Sequence, residues 1–396
     1  MFRALLNSQR NEDDLLPMEK YKLEHVLNEA TAANGRLLST ECEEIAEGKG
    51  FLSIITRVHL EWDSYSSEGL HLLPDDIIIK QPSLVKVRNL GADESTAAVN
   101  RSLLINVHNR EVACYNLFSS AELEPPFPMA ELYHAEENSD ISDGLLILRD
   151  LSREAVSNTF HESMNIEQIE RIVSVVANLQ AFSLLNKGWE SFSNPFEKDS
   201  LDTLFAHKDE NIQFLRDTFP DSFKVSDEEL ARLESIAKKH IEKYLSSSKP
   251  LKTPVLVYGD LQPNNILWKR SEDGVTPSSD LAAMIDFQMI HVGNPFEDLS
   301  RALFNLLTPE DRRMHQERLL ELYYSQLCEK AGKDAVPFSF EEILEGYYGL
   351  LPVMAFIYVG MAALIFAVMN PTDDQLSNMI DRINCGLEDA GITGVF

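Results

Sequence analysis

The segment from Val257 to Leu267 constrains the chain more than any other stretch of its sequence. It contains Asp260 and, five residues later, Asn265. Short apolar runs stand on both sides of these two residues, and they have the length and composition of buried strands. Either residue alone is common in turns and caps. Together, at this spacing between two strands, they predict a functional loop.

A second acidic segment, Met284-Ile285-Asp286-Phe287-Gln288, follows after a polar connection. Leu281–Ile285 predicts another strand, and Ser271–Asp280 consists of turn-forming residues throughout. The expected order is therefore a loop, a hairpin and an acid. This order and spacing match the H-R-D-L-x-x-x-N and D-F-G segments of protein kinases.

The chemistry of phosphoryl transfer explains why these residue types stand at these positions. Asp260 is expected to orient a substrate hydroxyl and to accept its proton. Asn265 and Asp286 are expected to supply hard oxygen ligands to the Mg²⁺ ions that bridge the phosphates of ATP. The competing interpretation is a coincidental series of turns.

The length and net charge limit the architecture and the class of partner. At 396 residues the chain exceeds one average domain, which predicts two lobes with a substantial core in the larger one. Its 35 Lys and Arg against 64 Asp and Glu give a formal charge of −29. Clustered cations are needed to neutralise a phosphate backbone, so we expect no nucleic-acid partner. A cationic or neutral small substrate fits better, while most carboxylates are expected to form a solvated surface.

Cysteine usage and the N-terminal sequence favour a cytoplasmic location. The four cysteines are scattered and form no C-x-x-C pair, so reduced thiols are expected. The stretch from Met1 to Asn7 contains too short an apolar run for a signal peptide.

An uncharged stretch from Gly346 to Thr372 is long enough to cross a bilayer. Pro352 and Gly360 interrupt it, and no Lys or Arg flanks it to set an orientation. We therefore expect no membrane span and predict a buried pair of helices in the larger lobe.

The segment Glu47–Ser53 lies between two predicted strands. Gly48 and Gly50 would let backbone amides approach a phosphate closely, and the hydroxyl of Ser53 could assist. An ordinary hairpin turn is the alternative interpretation of two glycines around a lysine.

A cation follows the β-branched run Ile77-Ile78-Ile79 at Lys80. A lysine at this place in a strand is what the phosphate-binding lysine of a kinase small lobe requires, although many strand lysines are solvated edge residues. The later helical stretch from 106 to 115 offers Glu111 as its ion-pair partner.

The run from Gly144 to Leu151 reads as a buried strand that leads into a polar crossover between lobes. Backbone groups around Leu148 and Asp150 are predicted to bind adenine. The expected division is a small nucleotide-binding lobe over residues 1–147, a hinge over 148–152, and a large helical lobe over 153–396.

Helical periodicity predicts helices over Ile166–Leu185, Asp227–Leu245 and Glu310–Cys328. Another helix is expected to begin at Asn294, directly behind the second acid. Within it, Asp298 is either an acid favoured by the helix dipole or a carboxylate that accepts backbone amides of the Asp260 loop.

From about Glu41 onward, the chain resembles the choline-kinase-like superfamily, which includes aminoglycoside phosphotransferases and insect ecdysteroid kinases, and within it the nematode kinase-like group. The matching segments are 47–53, 108–111, 259–261 with Asn265, 285–288 and 297–299. The resemblance implies an α+β, bilobal, protein-kinase-like fold with a small antiparallel-sheet lobe and a larger, mainly helical lobe. It also implies Asp260 as catalytic base, Asn265 and Asp286 as magnesium ligands, and Lys80 with Glu111 as the phosphate clamp.

The chain departs from that family at two positions. Tyr258 stands where the family commonly has His, and Arg149 stands where an acidic residue is frequent. The leading hypothesis is transfer of the γ-phosphoryl group of ATP to a hydroxyl of a metabolite, sterol-like compound, amino alcohol or xenobiotic. The alternative is a catalytically silent protein that binds a nucleotide or another ligand.

Overall fold

The computed structural model describes residues 16, 18–45, 52–63, 73–83, 97–119, 124–139, 142–159, 162–192, 208–245, 253–369 and 372–393. Contacts within the chain divide it into two compact units. Unit 1 comprises Met1–Ser119 and Ala130–Arg153, and unit 2 comprises Ser120–Met129 and Glu154–Phe396.

Unit 1 is built on a five-stranded antiparallel sheet in the order β1-β2-β3-β5-β4. Its strands are β1 (Leu37–Ile45), β2 (Ser53–Trp62), β3 (Asp76–Pro82), β4 (Leu132–Glu136) and β5 (Leu145–Arg149), and its described helices are α1 (Lys20–Thr31) and α2 (Ala97–Phe118). Ile77 and Ile79 of β3, two residues apart, lie on one face of the sheet. They join Leu23 and Leu27 of α1 in the core of this unit.

The segment after β5 is held by an ion pair and a hydrogen bond inside unit 1. Arg57 Nε donates to Asp150 Oδ2 at 2.7 Å, and the amide of Ser152 donates to Asp150 Oδ1 at 2.7 Å. The change of unit follows Arg153, and residues 120–129 also belong to unit 2. The action of residues 148–152 as a hinge stays a prediction.

Unit 2 is mainly helical and contains two small sheets, in the orders β6-β8-β9 and β10-β7. Its strands are β6 (Ala155–Ser157), β7 (Val255–Val257), β8 (Ile266–Arg270), β9 (Pro277–Met284) and β10 (His291–Gly293). Its described helices are α3 (Ile166–Leu185), α4 (Lys208–Thr218), α5 (Asp227–Tyr244), α6 (Glu297–Leu306), α7 (Pro309–Ala331), α8 (Phe340–Met369) and α9 (Asp373–Asp389), with short 3₁₀ turns at Pro263–Asn265 and Lys333–Ala335.

Helix α3 is the central element of unit 2. Asn165 caps it, and Asn165 and Gln168 form a reciprocal capping box, which satisfies amide groups of the first turn. Its apolar residues recur at helical spacing and are buried on most of the surface of the helix. The helix packs against α7, β7, β9 and α6, so it connects the core to the strand that leads into the Asp260 loop and to the strand that leads to Asp286.

Helix α8 differs from the predicted pair of helices. It is one helix of 30 residues that contains Pro352. The missing amide of a proline removes one helical hydrogen bond, but α8 packs against α4, α5, α6, α7 and α9, and this packing keeps the helix continuous. Its segment Phe340–Ala362 is apolar and long enough to cross a membrane, and 72% of the most apolar window is buried inside the protein. That burial is typical of a core helix.

The connection between β8 and β9 is shorter than the sequence predicts. Residues 277–280 were expected to belong to the turn, but β9 begins at Pro277, which pairs with Arg270. Gln168 Nε2 of α3 donates to the carbonyl oxygen of Ser278 at 2.9 Å. Pairing and this side-chain contact override the turn preference of the local sequence.

Candidate active site

The loop that carries Asp260 begins at the end of β7, where backbone packing is tight. Val257 pairs with His291 of β10. Gly259 follows with a φ of +82°, a conformation that glycine adopts without strain. A Cβ at this position would lie 2.4 Å from the carbonyl oxygen of Met289. A larger residue would therefore force the backbone of the loop to move.

Asp298, in the first turn of α6, fixes the same loop. Its Oδ2 accepts the amide of Tyr258 at 2.8 Å and its Oδ1 accepts the amide of Gly259 at 3.0 Å. Complete burial raises the pKa of Asp298 to about 6, while the two amides act in the opposite direction. This contact is the one expected if Asp298 is a carboxylate that accepts backbone amides of the Asp260 loop. Its importance for activity stays a prediction.

Asp260 and Asn265 are brought together by one turn of 3₁₀ helix between them. Asn265 Nδ2 donates to Asp260 Oδ2 at 2.9 Å and to the Asp260 carbonyl oxygen at 3.1 Å. Burial raises the pKa of Asp260 to about 6, with the charge of Arg301 lowering it and that of Asp286 raising it. A carboxylate in this environment is suited to accept a proton near neutral pH.

Asp286 has a φ of +63°, which is uncommon for a residue other than glycine and often marks a functional position. The preceding residue, Ile285, donates its amide to the carbonyl oxygen of Asn265 at 3.1 Å. The next residue, Phe287, is buried and stacks on Phe127 with ring centroids 5.8 Å apart. Packing on both sides therefore imposes the unusual backbone of Asp286.

Tyr258 joins the loop to the Asp286 segment. Its hydroxyl donates to the carbonyl oxygen of Ile285, and its ring meets Phe287 edge to face at 5.8 Å. The side chain is 1% exposed. Tyr258, which replaces the histidine of the resembling family, thus acts on the geometry of the loop through packing and one hydrogen bond.

Sequence reasoning did not identify a buried polar pair beside the loop. His291 Nε2 lies 3.3 Å from Glu297 Oε2, and His291 Nδ1 lies 2.7 Å from the carbonyl oxygen of Met289. Both side chains are 0% exposed. The one available signal was the position of Glu297 next to Asp298 in the sequence. His291, in a short apolar strand, gave no signal.

In unit 1, Lys80 and Glu111 form a buried ion pair. Lys80 Nζ lies 2.8 Å from Glu111 Oε2 and donates to Oε1 at 3.0 Å. The residues are 6% and 1% exposed, respectively. A lysine this buried is not a solvated edge residue. Its contact with phosphates stays a prediction.

The other residues predicted to bind the nucleotide lie either outside the described residues or at different places in unit 1. Gly48 and Gly50 lie outside the described residues. Ser53 is buried at the start of β2, and Leu148 lies inside β5, between β3 and β4. The carboxylate of Asp150 is already bound to Arg57, so only its backbone remains for the predicted contact with adenine.

The residues around Asp260 fit a magnesium ion that keeps water and phosphate ligands. Among the described residues there is no group of three or more His, Cys, Asp or Glu that could hold a metal. Mg²⁺ in phosphotransfer sites needs only one or two protein carboxylates or amide oxygens. Asp286 offers a carboxylate. Asn265 donates its Nδ2 to Asp260, and its Oδ1 accepts the side-chain amide of Asn264 at 3.0 Å, which leaves the second lone pair of this oxygen for a metal.

A family model described as "Uncharacterized oxidoreductase dhs-27" (DUF1679) matches residues 23–389. The chain belongs to this family. The protein of that name from Caenorhabditis elegans is 26% identical over 96% of this chain and 47% of its own length. The chain thus spans about half of that relative. A second C. elegans relative, "Uncharacterized kinase-like protein D1044.1", is 24% identical over 68% of this chain and 69% of its own length.

The fold is that of the aminoglycoside phosphotransferases. A solved structure from Ralstonia eutropha JMP134, of a protein assigned to these enzymes, aligns with a TM-score of 0.50 at 13% identity and covers 94% of this chain and 98% of its own. The predicted α+β, protein-kinase-like class, with a small antiparallel-sheet unit and a larger helical unit, is confirmed. The suspected superfamily is confirmed with it.

Proposed function

We propose that the chain is a magnesium- and ATP-dependent kinase that phosphorylates a hydroxyl of a small molecule in the cytoplasm. The observation that carries the proposal is the 2.9 Å hydrogen bond from Asn265 to Asp260 in a loop whose amides Asp298 accepts. This is the arrangement that phosphotransfer needs from a base and a metal ligand. The kinase-like name of one relative supports the same reaction class.

In the proposed reaction, Asp260 orients the acceptor hydroxyl and takes its proton. The acceptor oxygen bonds to the γ-phosphorus as the bond from that phosphorus to the oxygen of ADP breaks. Asn265 and Asp286 would hold Mg²⁺, which neutralises charge on the phosphates when bound. Lys80, kept in place by Glu111, binds oxygens of the α- and β-phosphates.

Two other functions are compatible with part of the observations. A catalytically silent binding protein would keep the fold and bind nucleotide without turnover. An oxidoreductase is suggested by the printed name of the first relative, but this chain matches 47% of that protein. The sequence also has no G-x-G-x-x-G fingerprint of a dinucleotide site. The retention of Asp260, Asn265 and Asp286 argues against both alternatives.

The substitution Asp260→Asn tests the kinase proposal. It keeps the size of the side chain and removes the base, so we expect near-normal affinity for a magnesium complex of a non-hydrolysable ATP analogue. Turnover should fall by roughly two to four orders of magnitude. Calorimetry and ADP release over a panel of hydroxylated compounds measure the two properties. Nucleotide binding without turnover in the wild type would support the silent protein, and unchanged turnover in Asp260→Asn would remove the assignment of the base.

A further inference from the structure

Arg301 of α6 is a buried arginine whose guanidinium has no hydrogen bond to any residue in the described part of the chain. The residue is 8% exposed, and its Nε is buried without a partner. The carboxylate next to it is that of Glu297, with Oε1 at 3.9 Å from Arg301 Nη2, which is beyond hydrogen-bond distance. A buried Nε–H group without a hydrogen-bond partner costs free energy, and the Nη groups of Arg301 have no hydrogen-bond partner among the described residues either.

Other buried arginines of unit 2 are held by the protein. Arg382, 3% exposed, donates from Nε to the carbonyl oxygen of Leu307 at 3.3 Å and from Nη2 to Ser163 Oγ at 2.7 Å. Arg312, 2% exposed, donates to the carboxylate of Asp389. Arg312 leaves one buried nitrogen, Nη1, without a partner, whereas Arg301 has no hydrogen bond from any of its nitrogens to the described residues.

The position of Arg301 on α6 directs it to the Asp260 loop. Residues 298, 301 and 305 lie on one face of a helix. On this face Asp298 accepts the amides of Tyr258 and Gly259, and Asn305 Nδ2 lies 3.5 Å from the carbonyl oxygen of Leu261. Arg301 lies between these two contacts and therefore next to Asp260. In agreement, its charge is the largest influence that lowers the pKa of Asp260 against the effect of burial.

Tyr358 of α8 belongs to the same group of side chains. It is 8% exposed, and its ring lies 5.3 Å from that of Phe304. Within the described residues, its hydroxyl has no hydrogen-bond partner. Burial raises the pKa of Tyr358, and the charges of both Arg301 and Asp260 also act on it. A second unused donor therefore stands near Asp260 and Arg301.

We propose that Arg301 and Tyr358 bind the acceptor, and that the acceptor is a hydroxylated compound with an oxyanion, such as a carboxylate or phosphate, close to the reacting hydroxyl. The proposal rests on the kinase function and specifies its substrate class. It departs from the cationic or neutral substrate that the net charge of −29 favours, because the charge next to Asp260 is that of Arg301. The guanidinium fork matches a carboxylate or phosphate through two parallel hydrogen bonds, and a phenol hydroxyl can donate a third. A cationic amino alcohol would instead meet the positive charge of Arg301.

Binding of three small probes to the full chain tests this substrate class. Glycerate, glycerol and 3-aminopropane-1,2-diol share a hydroxylated three-carbon skeleton and differ in charge. We expect ligand-observed NMR at millimolar concentrations to rank glycerate first and the amino diol last. Arg301→Met should weaken glycerate binding roughly 10- to 100-fold, because charge-assisted hydrogen bonds are lost. Arg301→Lys should recover part of it, since it keeps the charge without the fork.

The matched control is Arg318→Met, which removes an arginine that is 50% exposed and pairs with Glu170. It should leave glycerate binding unchanged. Thermal unfolding gives a second readout. Arg301→Met loses the long ion pair with Glu297 but no internal hydrogen bond, so it should lower the Tm less than Arg382→Met, which loses two hydrogen bonds.

Absent glycerate binding to the wild type, equal binding to Arg301→Met, or preference for the amino diol would each overturn the proposal. A Tm loss in Arg301→Met as large as that in Arg382→Met would make Arg301 a structural residue and overturn it as well. Affinity for the magnesium complex of a non-hydrolysable ATP analogue, measured on the same samples, tests the kinase function separately. Arg301→Met should leave that affinity unchanged.

Discussion

Two buried sites, one in each unit, stabilise their charged groups in different ways. In unit 1, Lys80 and Glu111 compensate each other at 2.8 Å. In unit 2, burial raises the pKa of both Asp260 and Asp298 to about 6. Asp260 accepts a hydrogen bond from the side chain of Asn265, and Asp298 accepts two from backbone amides. An ion pair can be exchanged for another pair of side chains. A contact between a side chain and the backbone cannot be exchanged in this way, so the loop of unit 2 tolerates less change.

The largest effect is expected from Glu111→Leu. This substitution leaves the buried ammonium of Lys80 without its carboxylate, and breaking a buried pair from one side costs about 3–5 kcal/mol. Hydrogen exchange measured on peptides of β3 and α2 should show faster opening of unit 1.

Glu29→Leu on α1 is the control, because this glutamate side chain is 77% exposed and its loss removes no buried charge. Equal protection in Glu111→Leu and in the wild type would mean that the ion pair contributes nothing to the stability of unit 1.

Asp298→Ala should have the next largest effect. It leaves the buried amides of Tyr258 and Gly259 without an acceptor, at about 1–3 kcal/mol each. Exchange of peptides that contain residues 255–265 should accelerate, and turnover should fall because the loop is no longer fixed.

Asp227→Ala is matched to it, since Asp227 also lies in the first turn of a helix and its side chain is 90% exposed. It separates the effect of the helix dipole from that of the two amides. If both variants behave alike, Asp298 acts only as a helix acid.

Local sequence patterns predicted the helix and the loop whose structures depend mainly on residues close to one another in the chain. The bounds of α3 follow from its periodicity, and the structure adds the capping residues Asn165 and Gln168. The loop and its acids follow from the spacing of Asp260, Asn265 and Asp286. Features that depend on distant packing were missed, because no local pattern encodes them. The continuous helix through Pro352 depends on its packing against five neighbouring helices. The lack of hydrogen-bond partners around Arg301 depends on side chains that are distant in the sequence.

Gly259→Ala is expected to lower the free energy of unfolding by an intermediate amount, and Gly274→Ala is its control. Both glycines have positive φ, +82° and +70°, but an added Cβ at Gly274 meets nothing within 4 Å. Gly274→Ala should therefore cost only about 1 kcal/mol from the backbone conformation. Gly259→Ala should cost more, because the Cβ also meets the carbonyl of Met289, and it should reduce turnover. Denaturation and ADP release measure both variants. Equal costs for the two would show that the loop adapts freely.

The smallest effect is expected from the double substitution Lys80→Met with Glu111→Leu. Replacing both members of a buried ion pair by apolar side chains of similar size is often neutral, so stability should lie within about 1 kcal/mol of the wild type. Exchange of the β3 and α2 peptides should return to the wild-type rate, while ATP-dependent turnover stays low because the phosphate clamp is gone. Recovery of stability without activity would separate the structural and functional roles of the pair. If stability stayed as low as in Glu111→Leu, the ion pair would not be exchangeable, and the contrast between the two units would be wrong.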